Sequence, residues 1–191
     1  MVVYLRAINQ PLRASAGLPS TELFPLLSAA QAAPVMGLLK IELAREAATI
    51  VMLAAIALAA GVRWLPAFAL TFGTWDLAFY AGLKVLIGWP ASLFTWDLLF
   101  LLPVPWAGPV LAPSIVAASL VIGGILALTR PVKDSALSGM MLAVGALVII
   151  LSFTWDWRAL LAGGVPHDFH WWMFGAGEAL GIAGLARALR G

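Results

Sequence analysis

The sequence predicts an all-α integral membrane protein, a bundle of about six transmembrane helices. Hydrophobic residues make up 63% of the chain and charged residues only 10%, whereas about a quarter of the residues in a soluble domain are charged. A water-soluble fold of this size needs more polar surface to cover its core. We therefore expect the chain to lie in a lipid bilayer, that of a bacterial cytoplasmic (inner) membrane.

Long apolar stretches place most of the helices, since a span needs about 17–25 residues. Five such stretches cover residues 44–62, 65–88, 110–129, 136–157 and 170–189. A further segment, residues 89–109, is short, broken by prolines and rich in tryptophan. This segment either crosses the membrane as a third span or re-enters from one side.

The distribution of basic residues favours one of these two arrangements. If residues 89–109 cross and the N-terminus is cytoplasmic, nine lysines and arginines lie inside, and two, Arg63 and Arg158, lie outside. If the segment re-enters, the split is six against five. Because cytoplasmic loops carry an excess of lysine and arginine, the sequence predicts six spans with both termini in the cytoplasm.

The chain contains no soluble linker, so we expect one transmembrane helical domain over residues 41–191. It is preceded by a cytoplasmic or interfacial segment over residues 1–40, in which residues 22–33 predict a short interfacial helix. The tripeptide Thr-Trp-Asp occurs at residues 74–76, 95–97 and 154–156. Its irregular spacing leaves two interpretations open, an ancient duplication and a coincidence.

The composition also excludes several kinds of site and partner. The absence of cysteine excludes disulfides, thiolate metal sites and iron–sulfur clusters. Eleven basic and nine acidic residues, with no basic run interleaved with aromatics, predict no nucleic-acid partner. No motif indicates a cofactor. Besides the lipid bilayer, we expect the partners to be further copies of the chain or other subunits of a membrane complex.

Three acidic residues fall near the middle of predicted spans: Asp76, Asp97 and Glu178. A charged side chain at that depth costs at least ~2.5–3.5 kcal/mol, so such residues usually face the interior of the bundle. Asp76, Tyr80 and Lys84 are spaced i, i+4 and i+8 and therefore form one polar stripe on a helix. The stripe is either a path for a proton or cation or a structural hydrogen-bond network.

The surroundings of the acidic residues differ. Glu178 lies between Gly177 and Gly181, a GxxxG step that lets another helix approach closely. Such packing would bury Glu178 either as a structural contact or as part of a ligand site. Arg45 and Glu46 lie at the end of the first predicted span, where long side chains reach water cheaply.

Most of the nine tryptophans fall at span ends, as interfacial belts require. Trp75 and Trp96 differ, because each precedes a mid-depth aspartate. We hypothesise that the three central carboxyl groups converge on one polar cavity. Its predicted residues are Asp76, Asp97, Glu178, Tyr80, Trp75, Trp96 and Lys84.

The predicted outer loop holds both histidines of the chain. His167, Asp168 and His170 could bind a divalent metal, with Asp156 completing the set. Ordinary polar surface is the simpler interpretation of the same string. No P-loop or HExxH pattern is present.

Three classes of function follow. The first is a small transporter-like protein whose central acidic residues bind a proton, a cation or a small ligand. The second is a non-catalytic accessory subunit of a larger membrane complex, docked through small-residue helix faces. The third is an intramembrane enzyme that uses the outer Asp/His loop. The sequence favours a non-enzyme.

Overall fold

The computed structural model describes residues 36–100, 103–133, 135–161 and 168–190, which are mostly helical. The helices are α1 (Met36–Ala59), α2 (Trp64–Ile87), α3 (Leu111–Thr129), α4 (Ala136–Thr154), α5 (Trp157–Leu161) and α6 (Trp171–Leu189). Two strands, β1 (Trp96–Phe100) and β2 (Trp106–Pro109), lie between α2 and α3. The predicted helix over residues 22–33 lies outside the described residues.

Two helical stretches are long and apolar enough to cross a membrane. They are α3, with 19 residues, and the run Ala136–Leu160, with 25 residues, which contains α4 and most of α5. In the most apolar stretch of each, only 33% and 22% of the residues are buried within the protein. A helix that is apolar on all sides is normally buried in a large core or in a membrane, so this exposure fits a lipid environment.

The described residues between 89 and 109 form two strands and no helix, so a crossing of the membrane by this segment is not confirmed. Antiparallel β1 and β2 form a hairpin in which Trp96 pairs with Pro109 and Asp97 with Gly108. Prolines at 90, 103, 105 and 109 explain the outcome, because proline has no N–H and disrupts a helix. Four pairs of residues in β1 and β2 face each other and satisfy part of the hairpin backbone internally.

The hairpin changes the expected topology. The chain enters and leaves it at the same end of the molecule, so the described residues contain five long helices rather than six. A six-span bundle is therefore not confirmed. The prediction that both termini lie in the cytoplasm depended on the sixth span and stays a prediction.

The long helices pack mainly as two pairs, α2 with α3 and α4 with α6. In the first pair, a Cβ on Gly124 would lie 2.8 Å from the carbonyl oxygen of Pro66. In the second, a Cβ on Gly145 would lie 2.8 Å from the Gly177 oxygen and the Gly181 nitrogen. The GxxxG step of α6 thus receives a neighbouring helix, as the sequence predicted.

The hairpin covers one end of both helix pairs, and Leu99 of β1 packs against two buried clusters. On one side, Tyr80, Leu83, Trp89 and Val110 form a buried cluster. On the other side, a second cluster contains Ala112, Phe153, Phe169 and Phe174. At the opposite end of the molecule, the Arg63 guanidinium donates to the carbonyl oxygens of Ala127 and Arg130. This contact ties the α1–α2 turn to the end of α3.

Candidate functional site

Two acidic side chains and a tyrosine meet where α2 contacts the hairpin. The Tyr80 hydroxyl donates a hydrogen bond of 2.8 Å to Oδ2 of Asp97. Tyr80 and Asp97 are 7% and 6% exposed. Asp76 is partly buried and lies close enough to Asp97 for their charges to interact. We refer to Asp76 and Asp97 as the carboxyl pair.

The local sequence explains this meeting. Asp76 and Tyr80 lie one turn apart on α2, and the same stripe continues to Lys84, whose Nζ donates to the carbonyl oxygen of Pro90 at 2.8 Å. Gly88 has a φ of 71° and ends α2 in the left-handed region, which glycine adopts without a steric cost. The chain therefore turns back sharply, and the Trp89 ring packs 6.1 Å from the Tyr80 ring.

Among the described residues, the carboxyl pair has no charged partner, and its Asp97 member is compensated only by the Tyr80 hydroxyl and the Leu98 backbone N–H. Oδ1 of Asp97 is buried and has no hydrogen-bond partner. Within the described ranges, no lysine, arginine or histidine forms an ion pair with Asp76 or Asp97. Lys84, the nearest base along the stripe, donates to a backbone carbonyl instead. An unsatisfied buried acceptor costs about 1–3 kcal/mol, so this pair suits a ligand that supplies positive charge or a proton.

Glu178 makes a different contact. It is 9% exposed and accepts a hydrogen bond of 2.9 Å from the Ser119 hydroxyl, which joins α3 to α6. The structure thus brings together two of the three central acidic residues and holds the third in a separate contact. The pairing of the helices explains the different contacts of these residues. The Gly177 side of α6 packs on α4, whereas Asp76 belongs to the polar stripe of α2 that contacts the hairpin.

The two tryptophans of the hypothesis do not contact the carboxyl pair. Trp75 is 42% exposed, because adjacent residues on a helix point in different directions. Trp96 packs against Phe169, with ring centroids 6.4 Å apart. Successive side chains of a strand point to opposite faces, so β1 directs Asp97 towards Tyr80 and Trp96 towards the other cluster.

Asp156, Asp168 and His170, at the described ends of the predicted outer loop, form a second polar region on the Trp96 side of the hairpin. His170 Nε2 lies 3.5 Å from Asp156 Oδ2, and both side chains line a recess with Trp96, Phe153 and Asp168. The described part of the chain contains no cluster of three metal-ligating side chains. His167 lies outside that part, so the metal site His167–Asp168–His170 stays a prediction.

Some buried polar residues were missed by sequence reasoning. Glu46 was expected to reach water, yet it is only 5% exposed on α1. Ser119 was not singled out, although a hydroxyl in the middle of an apolar span signals a hydrogen-bond partner. Ser152 is 3% exposed and donates to the Ile149 carbonyl oxygen in its own helix.

The three Thr-Trp-Asp copies occupy different structures. The first lies within α2, the second leads into β1, and the third begins at the last residue of α4. The tripeptide therefore does not mark one repeated structural unit. No protein-family model, curated protein or solved structure matches this chain significantly.

Proposed function

We propose that this is a polytopic membrane protein in which Asp76 and Asp97 bind a proton or a small monovalent cation and couple it to transport across the bilayer. The observation that carries the proposal is the carboxyl pair itself. Asp97 is buried and accepts a hydrogen bond from Tyr80, the partly buried Asp76 lies within range of its charge, and no basic side chain is paired with either one in the described residues.

The energetics of the site support binding of a positive charge. Acidic residues within a membrane are costly and usually mark proton or ion pathways. A proton or monovalent cation between Asp76 and Asp97 cancels half of the charge of the pair. Tyr80 fixes one oxygen of Asp97 and leaves Oδ1 for the ligand. Asp76, the less buried of the two, forms the approach to it.

The proposed orientation places the end opposite the hairpin in the cytoplasm of a bacterial cell. That end carries Arg63, Arg130, Lys133, Arg187 and Arg190. The hairpin end carries the basic residues Lys84 and Arg158 beside the acidic Asp156 and Asp168, and the larger number of basic residues at the opposite end sets the proposed orientation. The N-terminus is cytoplasmic if the number of crossings is even, and outside if all five long helices cross.

A flux measurement tests the proposal. Purified protein is placed in liposomes that contain a pH-sensitive dye, and a potassium gradient with valinomycin sets the membrane potential. A parallel series measures uptake of radioactive sodium. We expect proton or sodium flux above that of protein-free liposomes, and Asp97→Asn should reduce it to the protein-free level.

The matched control is Glu178→Gln, which also removes a buried carboxyl group but keeps an acceptor for Ser119. It should retain the flux. Both variants are first shown to elute as folded protein by size exclusion. Absence of both fluxes in the native protein, or equal flux in native and Asp97→Asn protein, would refute the proposal.

The accessory-subunit alternative makes a different prediction about composition. A transporter should be isolated from mild detergent as a single chain or a homo-oligomer. Native mass spectrometry that instead finds a stoichiometric second polypeptide would favour the accessory role.

A further inference from the structure

A basic groove lies at the end of the molecule opposite the hairpin. Its volume is about 590 Å³. Its lining residues are Lys133, Ser135, Ala183, Ala186, Arg187 and Arg190. Neither acidic residue of the carboxyl pair belongs to it, so it is a separate feature of the fold.

The groove follows from the local sequence of α6 and of the α3–α4 linker. Ala183, Ala186, Arg187 and Arg190 are spaced i, i+3, i+4 and i+7, so they share one face of the helix end. The two alanines leave space, and the arginines extend from the same face. The Lys133 backbone N–H donates to the Ala188 carbonyl oxygen at 2.9 Å, which holds the linker against α6.

The charge of the groove is uncompensated among its described residues. Three lining side chains are basic and none is acidic, and none of the three forms an ion pair within the described ranges. Asp134, between Lys133 and Ser135 in the sequence, lies outside those ranges. All three basic side chains are exposed and therefore accessible to an anion.

We propose that the basic groove binds the phosphate headgroup of an anionic membrane phospholipid. Basic pockets between helices at the cytoplasmic side bind such headgroups. Leu137 and Ile182, near the same ends of α4 and α6, are 43% and 58% exposed and offer apolar surface to acyl chains. This combination of charge and apolar surface favours a lipid over free phosphate.

Native mass spectrometry with added lipid tests the inference. The purified protein in neutral detergent is titrated with phosphatidylglycerol, with phosphatidylcholine and, separately, with inorganic phosphate. We expect phosphatidylglycerol adducts at concentrations where phosphatidylcholine and phosphate give none. Each basic side chain contributes about fivefold to such binding, so Arg187→Gln with Arg190→Gln should weaken it about 30-fold.

The matched control is Arg158→Gln, which removes one positive charge at the hairpin end, where the guanidinium lies 5.2 Å from the Trp157 ring. It should leave phosphatidylglycerol binding unchanged. Equal binding of both lipids, equal loss in the control, or binding of phosphate as strong as that of the lipid would each overturn the proposal. The outcome is independent of ion flux through the carboxyl pair, since it requires only the basic groove.

Discussion

Replacing Gly177 with alanine should destabilise the contact between α4 and α6. A Cβ at this position would lie 2.8 Å from the Gly145 carbonyl oxygen and 2.8 Å from Cγ1 of Ile149. Both distances are well inside the 3.4–4 Å of ordinary van der Waals contact. One neighbour is backbone and the other is β-branched, so neither can easily move aside, and overpacking of this kind costs about 1–3 kcal/mol.

Gly175 provides the matched control on the same helix, because a Cβ there would meet nothing within 4 Å. Alanine in place of glycine favours a helix by about 0.8–1 kcal/mol at both positions. The intrinsic gain therefore cancels in the comparison. Gly177→Ala should be less stable than Gly175→Ala by about 1–3 kcal/mol.

Reversible unfolding in mixed micelles, with increasing sodium dodecyl sulfate and circular dichroism as the signal, measures this difference directly. Gly145→Ala should behave like Gly177→Ala, because its Cβ would meet the backbone of α6 from the other side. Equal free energies of unfolding for Gly177→Ala and Gly175→Ala would contradict the close approach of the two helices.

Three further predictions concern topology, the carboxyl pair and the outer loop. The chain has no cysteine, so single cysteines can be introduced and labelled with a thiol reagent that does not cross the membrane. Ser92→Cys and Asp168→Cys should react from one side of the membrane, and Thr129→Cys should react from the other. Labelling of Ser92→Cys and Asp168→Cys from opposite sides would exclude the hairpin arrangement. Tyr80→Phe removes the hydrogen-bond donor to Asp97. It should lower the free energy of unfolding by about 1–3 kcal/mol and slow ion uptake. Unchanged stability and uptake would show that the hydrogen bond is not made. Purified protein should contain no stoichiometric metal by elemental analysis, whereas bound metal that His167→Ala removes would support the metal site and the enzyme hypothesis.

Hydropathy and length located the helices well, because both are local properties. The predicted spans over residues 65–88, 110–129 and 170–189 differ by at most one residue from the bounds of α2, α3 and α6. The polar stripe of α2 and the GxxxG step of α6 could also be predicted from the sequence, since each depends only on the spacing of residues along one helix.

The hairpin was harder to predict, because a short apolar run can be a strand or a helix segment and hydropathy does not distinguish the two. The distribution of basic residues favoured a crossing, but it carries no information about backbone conformation. Once β1 is a strand, the opposite directions of Trp96 and Asp97 follow from its pleat. The partner of Glu178 could not be predicted either, because the contact from Ser119 spans 59 residues.

The alternation of side chains along β1 has a mechanical consequence. Trp96 and Asp97 are neighbours on one short strand, so the packing of Trp96 against Phe169 and the hydrogen bond from Tyr80 share one rigid support. A movement of β1 that separates Asp97 from Tyr80 would also change the packing of Trp96 against Phe169, just before the start of α6. The proposed binding at the carboxyl pair would therefore be linked to the packing of Trp96 on the other face of the hairpin, and such linkage acts equally in both directions.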